Sequence, residues 1–531
     1  LLSLPVKLSR FLLTTKIKRI MPLRLLYGIS ILLVLHGISS AQEKGGLSLS
    51  IGPELAERKG DRLLFTFGHS DTSFYNLWSD RRRNGSFILD EISIDSLRVQ
   101  STNPFSFSQV KNLVPTLSYP LSVDEHSYLV ATAEDPNGDE IYIFAYKILS
   151  ESKLAPEPIV LGRGNREAIL AENGFLLLKS PNAQLIALLI PKEKEYEKNE
   201  KFTLSYFNRD LTQLSSKEIE IPYSSGRVSL EEALVTDGGV IHGVISVRSE
   251  NEVRITPSTH ALLSYNPKED IVREKALSLG NKWFYDISLT LTPDTNLWLA
   301  GYYSNMVELS MAGTFSVLVD SKSGELLNTG LSPFEREFRL KFRSDIKRRE
   351  DELGLFKLDE THLLSKNELT LISEKRYSRT STIFNPATGT YSVVEVYNYD
   401  EVLLTTLRPT SKILFNVLIP KYQSYSASQG RFTSYLTVAD SSTIYLFYND
   451  HIRNIDLGAS EFNEYRQLNN ENNMAITYCI YNGESVKRKS ILPDRVSDYY
   501  LDPHNFYQSK NQIILTAYRG YRIRFIRVEL D

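Results

Sequence analysis

A single cysteine, Cys479, stands in 531 residues, so no intrachain disulfide can form and no cysteine-based metal site can be assembled. It lies within Ala475-Ile-Thr-Tyr-Cys-Ile-Tyr481 and reads as a small buried apolar residue of a strand. Histidine is almost as scarce: the eight present are scattered, with no pair at ligand spacing and no His-Glu-x-x-His. Phosphate-cradling glycine loops and a Gly-x-Ser-x-Gly nucleophile elbow are missing as well. On this reading there is no metal, no cofactor and no catalytic residue to name. A site that draws single residues from many repeats would escape such a search.

Basic charge is also lacking. The formal net charge is -3, and residues 1–41 contribute Lys7, Arg10, Lys16, Lys18, Arg19 and Arg24 with no acid, so the chain without them stands near -9. That sign excludes sequence-independent binding to nucleic acid, which needs a basic face. The densest basic run, Arg81–Arg83, reads as a solvated loop. Ala-rich amphipathic helical stretches are nearly absent too. Aromatics reach 11%, led by 30 Tyr, and charged residues 24% beside 42% hydrophobic ones. That balance describes a globular chain built mostly of strands.

No hydrophobic run is long enough to be read as a membrane span. The best one, Leu25–Leu35, has 11 residues, where a span needs about 20. It follows the basic start Met21-Pro-Leu-Arg24 and precedes small residues at Ser39 and Ala41, the three parts of a signal peptide. The expectation is therefore an over-extended start at 1–20, a signal peptide at 21–41, and a linker or closing strand at 42–59. The rest, 60–531, is one β domain. The mature protein is expected to be exported, periplasmic or extracellular, with no membrane span after cleavage.

What the chain does have is repetition. The stretch Phe432–Asn454 reads as two strands around a tight turn at Asp440–Ser442, with Thr443–Tyr448 apolar enough for burial on both faces. Aromatic–Asn ends recur in Leu204-Ser-Tyr-Phe-Asn208, Leu262-Leu-Ser-Tyr-Asn266, Ser381-Thr-Ile-Phe-Asn385 and Cys479-Ile-Tyr-Asn482, with Asp for Asn in Val317-Leu-Val-Asp320. Tyr146, Phe207, Tyr265, Val319 and Phe384 are 61, 58, 54 and 65 residues apart. Asn and Gly there suit the turn from a third strand to the next.

Upstream strand pairs include Ser127–Thr132 with Ile141–Phe144, Leu185–Ile190 with Phe202–Ser205, Ile287–Leu291 with Leu297–Ala300, and Leu369–Ile372 with Thr380–Ile383. Three or four short strands every 50–65 residues predict an all-β β-propeller. Counting gives seven blades, with six or eight as alternatives because 60–115 parses poorly. Gln512–Tyr518 and Tyr521–Leu530 supply part of a last blade, which Leu63–Phe67 or Leu47–Ile51 would complete.

One segment breaks the pattern. Ser332-Pro-Phe-Glu335 resembles a capping box, and Phe334, Phe338, Phe342 and Ile346 form an i+4 stripe, which predicts a charged helix over 332–353 on the rim of a blade.

Residues 354–454 carry a resemblance. Glu368-Leu-Thr-Leu-Ile-Ser-Glu-Lys-Arg-Tyr377, Val417-Leu-Ile-Pro-Lys-Tyr-Gln423, Gly430-Arg-Phe-Thr-Ser-Tyr435 and Ile444-Tyr-Leu-Phe-Tyr-Asn-Asp-His-Ile-Arg-Asn454 resemble exported, uncharacterised bacterial proteins with a β-propeller look. A Trp common before the Ile-Pro-Lys element is replaced here by Ile413-Leu-Phe415. The resemblance implies architecture and export, and no activity.

The candidate binding residues are Lys421, Gln423, Tyr435, Asn449, Asp450, His451 and Asn454. Asn449-Asp450 has the competing reading of an ordinary turn. Thr292-Pro-Asp-Thr-Asn-Leu-Trp298 is one residue short of a sialidase-type turn, and Asp135–Glu140 lacks calcium-loop spacing, so both read as plain turns. The functional expectation is a non-catalytic module that binds a protein or a glycan. The alternative is a glycoside hydrolase or lyase with its site at the propeller channel mouth, which would need two carboxylates beside an aromatic cleft.

Overall fold

The computed structural model describes residues 47–530 except 57–60, 69, 81–84, 111, 137, 171–173, 193–197, 225–226, 248–258, 307–309, 343–351, 386–388, 427–429, 441, 458–463, 470–472, 484, 492–498 and 510. The expected leader, Arg81–Arg83 and the end of the expected charged helix lie outside the described residues.

The architecture is all-β and consistent with a propeller. Eight antiparallel sheets of four or five strands follow one another. The first comprises Arg62–Phe67, Ser73–Asp80, Ser86–Ser93 and Val99–Ser106, and the second Thr116–Val123, His126–Glu134, Glu140–Lys147 and Ile159–Asn165. The third is Leu176–Lys179, Leu185–Pro191, Asn199–Asn208 and Gln213–Ser224; the fourth is Val228–Val235, Ile241–Val247, Thr259–Asn266 and Ile271–Leu277. The fifth holds Trp283–Leu291, Leu297–Ser304, Gly313–Val319 and Leu326–Pro333. In the sixth, Phe356–Ser365, Glu368–Asn385, Thr390–Leu407 and Ile413–Ile419 are joined by the short strand Gln423–Ser426. Tyr435–Ala439, Ile444–His451, Met474–Tyr481 and Val486–Ser490 make the seventh. Tyr500–Ser509, Gln512–Arg519 and Arg522–Leu530 make the eighth, together with the N-terminal strand Leu47–Ile51.

Second strands are the most apolar because strands flank them in the ladder and other sheets cover both faces. Leu297–Ser304 and Ile444–His451 are buried at every residue. Fourth strands alternate instead, as in Val99–Ser106 and Leu326–Pro333, where one face meets solvent. Apolar clusters join each sheet to the next: Tyr128 and Ile143 of the second pack with Ile186 and Phe207 of the third, and Leu404 of the sixth with Leu446 and Tyr448 of the seventh. Phe74 and Trp78 of the first sheet pack with Ile514, Tyr518 and Phe525 of the eighth.

Several expectations hold. Tyr435–Ala439 pairs with Ile444–His451 around Asp440, whose carboxylate accepts the backbone N–H groups of Ser442 and Thr443. Asn208, Asn266, Asp320 and Asn482 all accept backbone N–H groups just after a third strand. Of the two candidates for completing the last sheet, Leu47–Ile51 pairs with Arg522–Leu530, while Leu63–Phe67 opens the first sheet. Cys479 is buried.

Others are corrected. In the segment that parsed poorly, Arg62–Ser106 forms a sheet of its own, which makes eight sheets of four or five strands among the described residues. Polar residues in Ser-Phe-Tyr-Asn-Leu-Trp-Ser-Asp80 hide its pattern, although Asn76 is buried and accepts the Thr66 hydroxyl at 2.9 Å. Leu369–Ile372 and Thr380–Ile383 do not pair. Both belong to Glu368–Asn385, an 18-residue strand that pairs with Thr390–Leu407. Asn385 therefore ends a second strand and not a third. The capping box does not form either: Ser332 is still in a strand, and the described helix is only Arg336–Arg339 with Glu335 at its N-cap and no side-chain cap. The aromatic stripe is real, since Phe334, Phe338 and Phe342 are buried and continue to Phe356 at ring separations of 5.3–5.6 Å.

Removing residues up to 56 would leave Arg522–Leu530 as a free apolar edge. The expected outcome is a lower unfolding midpoint and concentration-dependent self-association, read by thermal denaturation and size exclusion.

Candidate functional site

The sixth, seventh and eighth sheets are joined by a buried polar network that contains all seven sequence-chosen residues. Lys421 follows the last long strand of the sixth sheet, and its Nζ lies 2.6 Å from Glu374 Oε1 with both side chains fully buried. It also donates to Tyr399 O at 3.0 Å and Gln423 Oε1 at 3.1 Å. Gln423 reaches the seventh sheet: its Nε2 donates to Asn449 O at 2.8 Å and its Oε1 accepts Ser434 N at 2.7 Å. Asn449 then bridges to the eighth sheet, donating to Leu501 O and accepting Leu501 N, each at 2.7 Å. Asp450 pairs with Arg488 and accepts Asn454 Nδ2 at 2.8 Å. Asn454 holds the backbone of Arg466 through both ends of its amide. Tyr435 donates to Asp359 at 2.9 Å, and His451 Nδ1 accepts Arg453 N at 3.1 Å.

These groups answer one another within the protein. Lys421, Gln423, Asn449, Asp450 and Asn454 are buried, Tyr435 and His451 nearly so. The turn reading of Asn449-Asp450 is corrected, because both sit inside Ile444–His451. Burial raises Asp450 despite Arg488, and lowers His451 with help from Arg466 and Arg453.

Sequence reasoning missed the acidic half of this region. Burial alone would raise Glu374, but Lys421 and Arg376 hold it below the usual carboxylate range. Arg376 spans Glu374 at 2.5 Å and Asp359 at 2.8 Å. Glu401 accepts from Tyr422 at 3.2 Å and lies 3.8 Å from Lys375. The available cue was Glu374-Lys-Arg376, a charged run that continues the apolar strand segment Leu369–Ile372.

A second set of acids lies on the first strands of the fourth to sixth sheets, at register breaks between Leu230 and Glu232, Phe284 and Asp286, and Leu358 and Glu360. Such bulges re-aim side chains. Asp286 accepts Leu358 N of the next sheet at 2.8 Å and Ile287 N at 3.1 Å. Glu360 accepts the Thr437 hydroxyl of the seventh sheet. Burial pushes Asp286 and Asp359 up to about 6, and raises Glu232 as well. Glu360, whose side chain is partly open to solvent, stays low because His362 and Thr437 bond to it. Carboxyls that titrate near 6 can give and take protons at neutral pH. Among the described residues, no three His, Cys, Asp or Glu are placed to hold a metal ion, and no helix is long and apolar enough to cross a membrane.

No family model matches the chain, and no curated protein matches it. Propeller-like folds and an uncharacterised bacterial protein are among the solved structures it resembles. An uncharacterized Listeria monocytogenes protein aligns over 78% of this chain and 93% of its own at 10% identity and a TM-score of 0.35. The WD40 domain of SCAP from fission yeast aligns over 91% and 98%, at 9% identity and 0.39. The polysaccharide lyase Uly1 aligns over 88% and 100%, at 9% and 0.39. At these TM-scores the likeness says nothing of activity.

Two outcomes follow. Lys421→Met is expected to cost about 3 kcal/mol in urea unfolding, since it leaves Arg376 alone to balance the buried Glu374 carboxylate, and the double variant with Glu374→Leu should recover much of that. Asp286, Asp359 and Asp400 have folded values near 6 against about 3.9 unfolded. The native state therefore holds more protons than the unfolded chain between those values, and stability falls as pH rises from about 4 to 6. Asp400→Asn should flatten that slope by one group's share.

Proposed function

We propose that the chain is an eight-bladed, exported propeller that serves as a protein-binding scaffold. Eight blades rest on eight successive sheets, on the apolar packing between the first and eighth, and on the pairing of Leu47–Ile51 with the last strand. Export rests on the signal-like leader, and a periplasmic or extracellular location goes with it.

The observation that carries the binding role is a β-ribbon on the sixth sheet. Glu368–Asn385 and Thr390–Leu407 pair along their whole length, but Phe356–Ser365 covers the first only as far as Lys375. Beyond it the ribbon continues to Asn385 and Thr390, and Gln423–Ser426 covers only Val396–Tyr399. About eight residues per strand extend past the sheet, some 25 Å at about 3.3 Å per residue. The tip exposes Phe384, Tyr391 and Val393, the last two at 72%. The rings of Phe384 and Tyr391 lie 5.0 Å apart, tilted by 47°. A two-stranded ribbon is marginal alone, and its open edges offer backbone groups to an extended peptide strand of a partner. A free apolar edge of this kind suits a protein partner better than a glycan, which needs polar groups beside the aromatics.

A second reading, a carbohydrate-active hydrolase or lyase, draws on Asp286 and Asp359 titrating near 6 on adjacent inner strands.

The test begins with affinity capture on the mature chain from Gln42. The recovered protein is then purified and titrated against wild type and against Phe384→Ser/Tyr391→Ser. At least a ten-fold loss of affinity in the variant is expected. Undiminished binding, or a glycan-array signal that the variant leaves intact, would sink the ribbon role. Polysaccharide cleavage lost in Asp286→Asn and Asp359→Asn would establish the enzymatic reading instead.

A further inference from the structure

Between the third and fourth sheets the core is split into two clusters, one around Leu204, Tyr206 and Tyr265 and the other around Ile221, Ile245 and Leu263. A cavity of about 360 Å³ is lined by residues of both, within the range of small-molecule sites. Its origin is local. The first strand of the third sheet, Leu176–Lys179, has only 4 residues and stops opposite Leu189, so Ile190 and Pro191 have no inner strand beside them. Across the gap Gly243 adds no side chain, and a Cβ there would meet Leu230 Cδ1 at 3.1 Å.

The walls are apolar, and among the described residues the only charged side chains on them are Glu200, Glu231 and Glu232. Glu231 accepts the Ser246 hydroxyl, and Glu232 accepts a backbone N–H from Leu289 of the fifth sheet. Glu200 differs. It is 6% exposed and sits at a register break between Asn199 and Lys201. No described residue bonds or pairs with it, whereas its neighbours Asn199 and Lys201 both engage Glu220. Its carboxylate oxygens, which water can still reach, carry a charge that no described side chain balances, and a cationic group brought by a ligand would supply that partner.

We propose that this cavity is a binding site for a small apolar amine, whose hydrocarbon body fills the gap between the sheets while its ammonium group pairs with Glu200. The site is separate from the ribbon, so its occupancy does not depend on the scaffold role. Selectivity comes from charge: a carboxylate-headed ligand of the same length would meet only acids, and a neutral alcohol would leave Glu200 uncompensated.

The test is calorimetric titration of the mature chain at pH 7 with n-hexylammonium, 1-hexanol and n-hexanoate. Hexylammonium is expected to bind at least ten-fold more tightly than hexanol, with no binding of hexanoate. Glu200→Gln should remove that preference, while Glu220→Gln, at the surface, should retain it. Ala233→Phe, which fills the cavity, should abolish binding of every probe. Equal binding of amine and alcohol, an unchanged preference in Glu200→Gln, or full binding by Ala233→Phe would each overturn the proposal. The filled variant and the surface control keep the outcome decisive should Glu200→Gln fail to fold.

Discussion

Face-to-face burial between consecutive sheets is the constraint on which the rest of the molecule depends. A four-stranded meander whose second strand is buried on both faces, as Ile444–His451 is, cannot stand in water by itself. Its two apolar faces require two neighbours, and those neighbours require theirs. The tightly filled contacts are large: Trp298, Tyr302, Tyr128 and Phe315 are among the biggest fully buried side chains. Apolar packing is non-directional, however, so it does not by itself fix how one sheet slides along the next.

Directional polar contacts supply that register. Asp286 takes the backbone N–H of Leu358 across one gap, and Tyr507 donates to Ser70 O across another. Asn449 grips Leu501 by both its N–H and its C=O. Ser288 and Thr290 both meet the Thr361 hydroxyl. Each contact joins one sheet to the strand of the next and would be broken by a one-residue slip, which would also carry apolar side chains to the wrong face. The carboxylates near pH 6 are thus placed first by architecture. Their raised values are a by-product of being buried between sheets, and any chemistry there would reuse that placement.

How much of this was legible in the sequence differs by element. Strands with unbroken apolar runs and Asx turns could be read directly, and Asn208, Asn266 and Asp320 perform the role their position implied. The Asp440 hairpin is of the same kind. Failures occurred where polar residues are buried. Asn76 hid the first sheet, and the polar run Glu374, Lys375 and Arg376 stood between two segments read as separate paired strands while lying within one 18-residue strand. Their charges are balanced by Lys421, Glu401 and Asp359, residues far away in sequence, so nothing local announces that they are inside. The same limit explains the candidate site. Lys421, Gln423, Asn449 and Asp450 stood out as unusual polar residues beside strands, and they were unusual, but the partners that define their roles come from three sheets. The expected helix failed for a different reason: its capping residues were drawn into the preceding strand, while the aromatic stripe beyond them packed as its spacing implied.

The polar network and the ribbon belong to the same sheet, and the first explains how the second can exist. A ribbon of 18-residue strands levers against its base whenever its tip is pulled. At that base Glu374, Arg376 and Tyr399 are tied to Lys421, Asp359 and Gln423 by charge and by strand pairing. A purely apolar base would resist separation but tolerate rotation, because its contacts have no preferred direction. A buried charge pair such as Lys421–Glu374 resists both, since any displacement exposes an uncompensated ion. This buried cluster of paired charges therefore lies where an extended element leaves its sheet, which is where rigidity is hardest to obtain by packing alone.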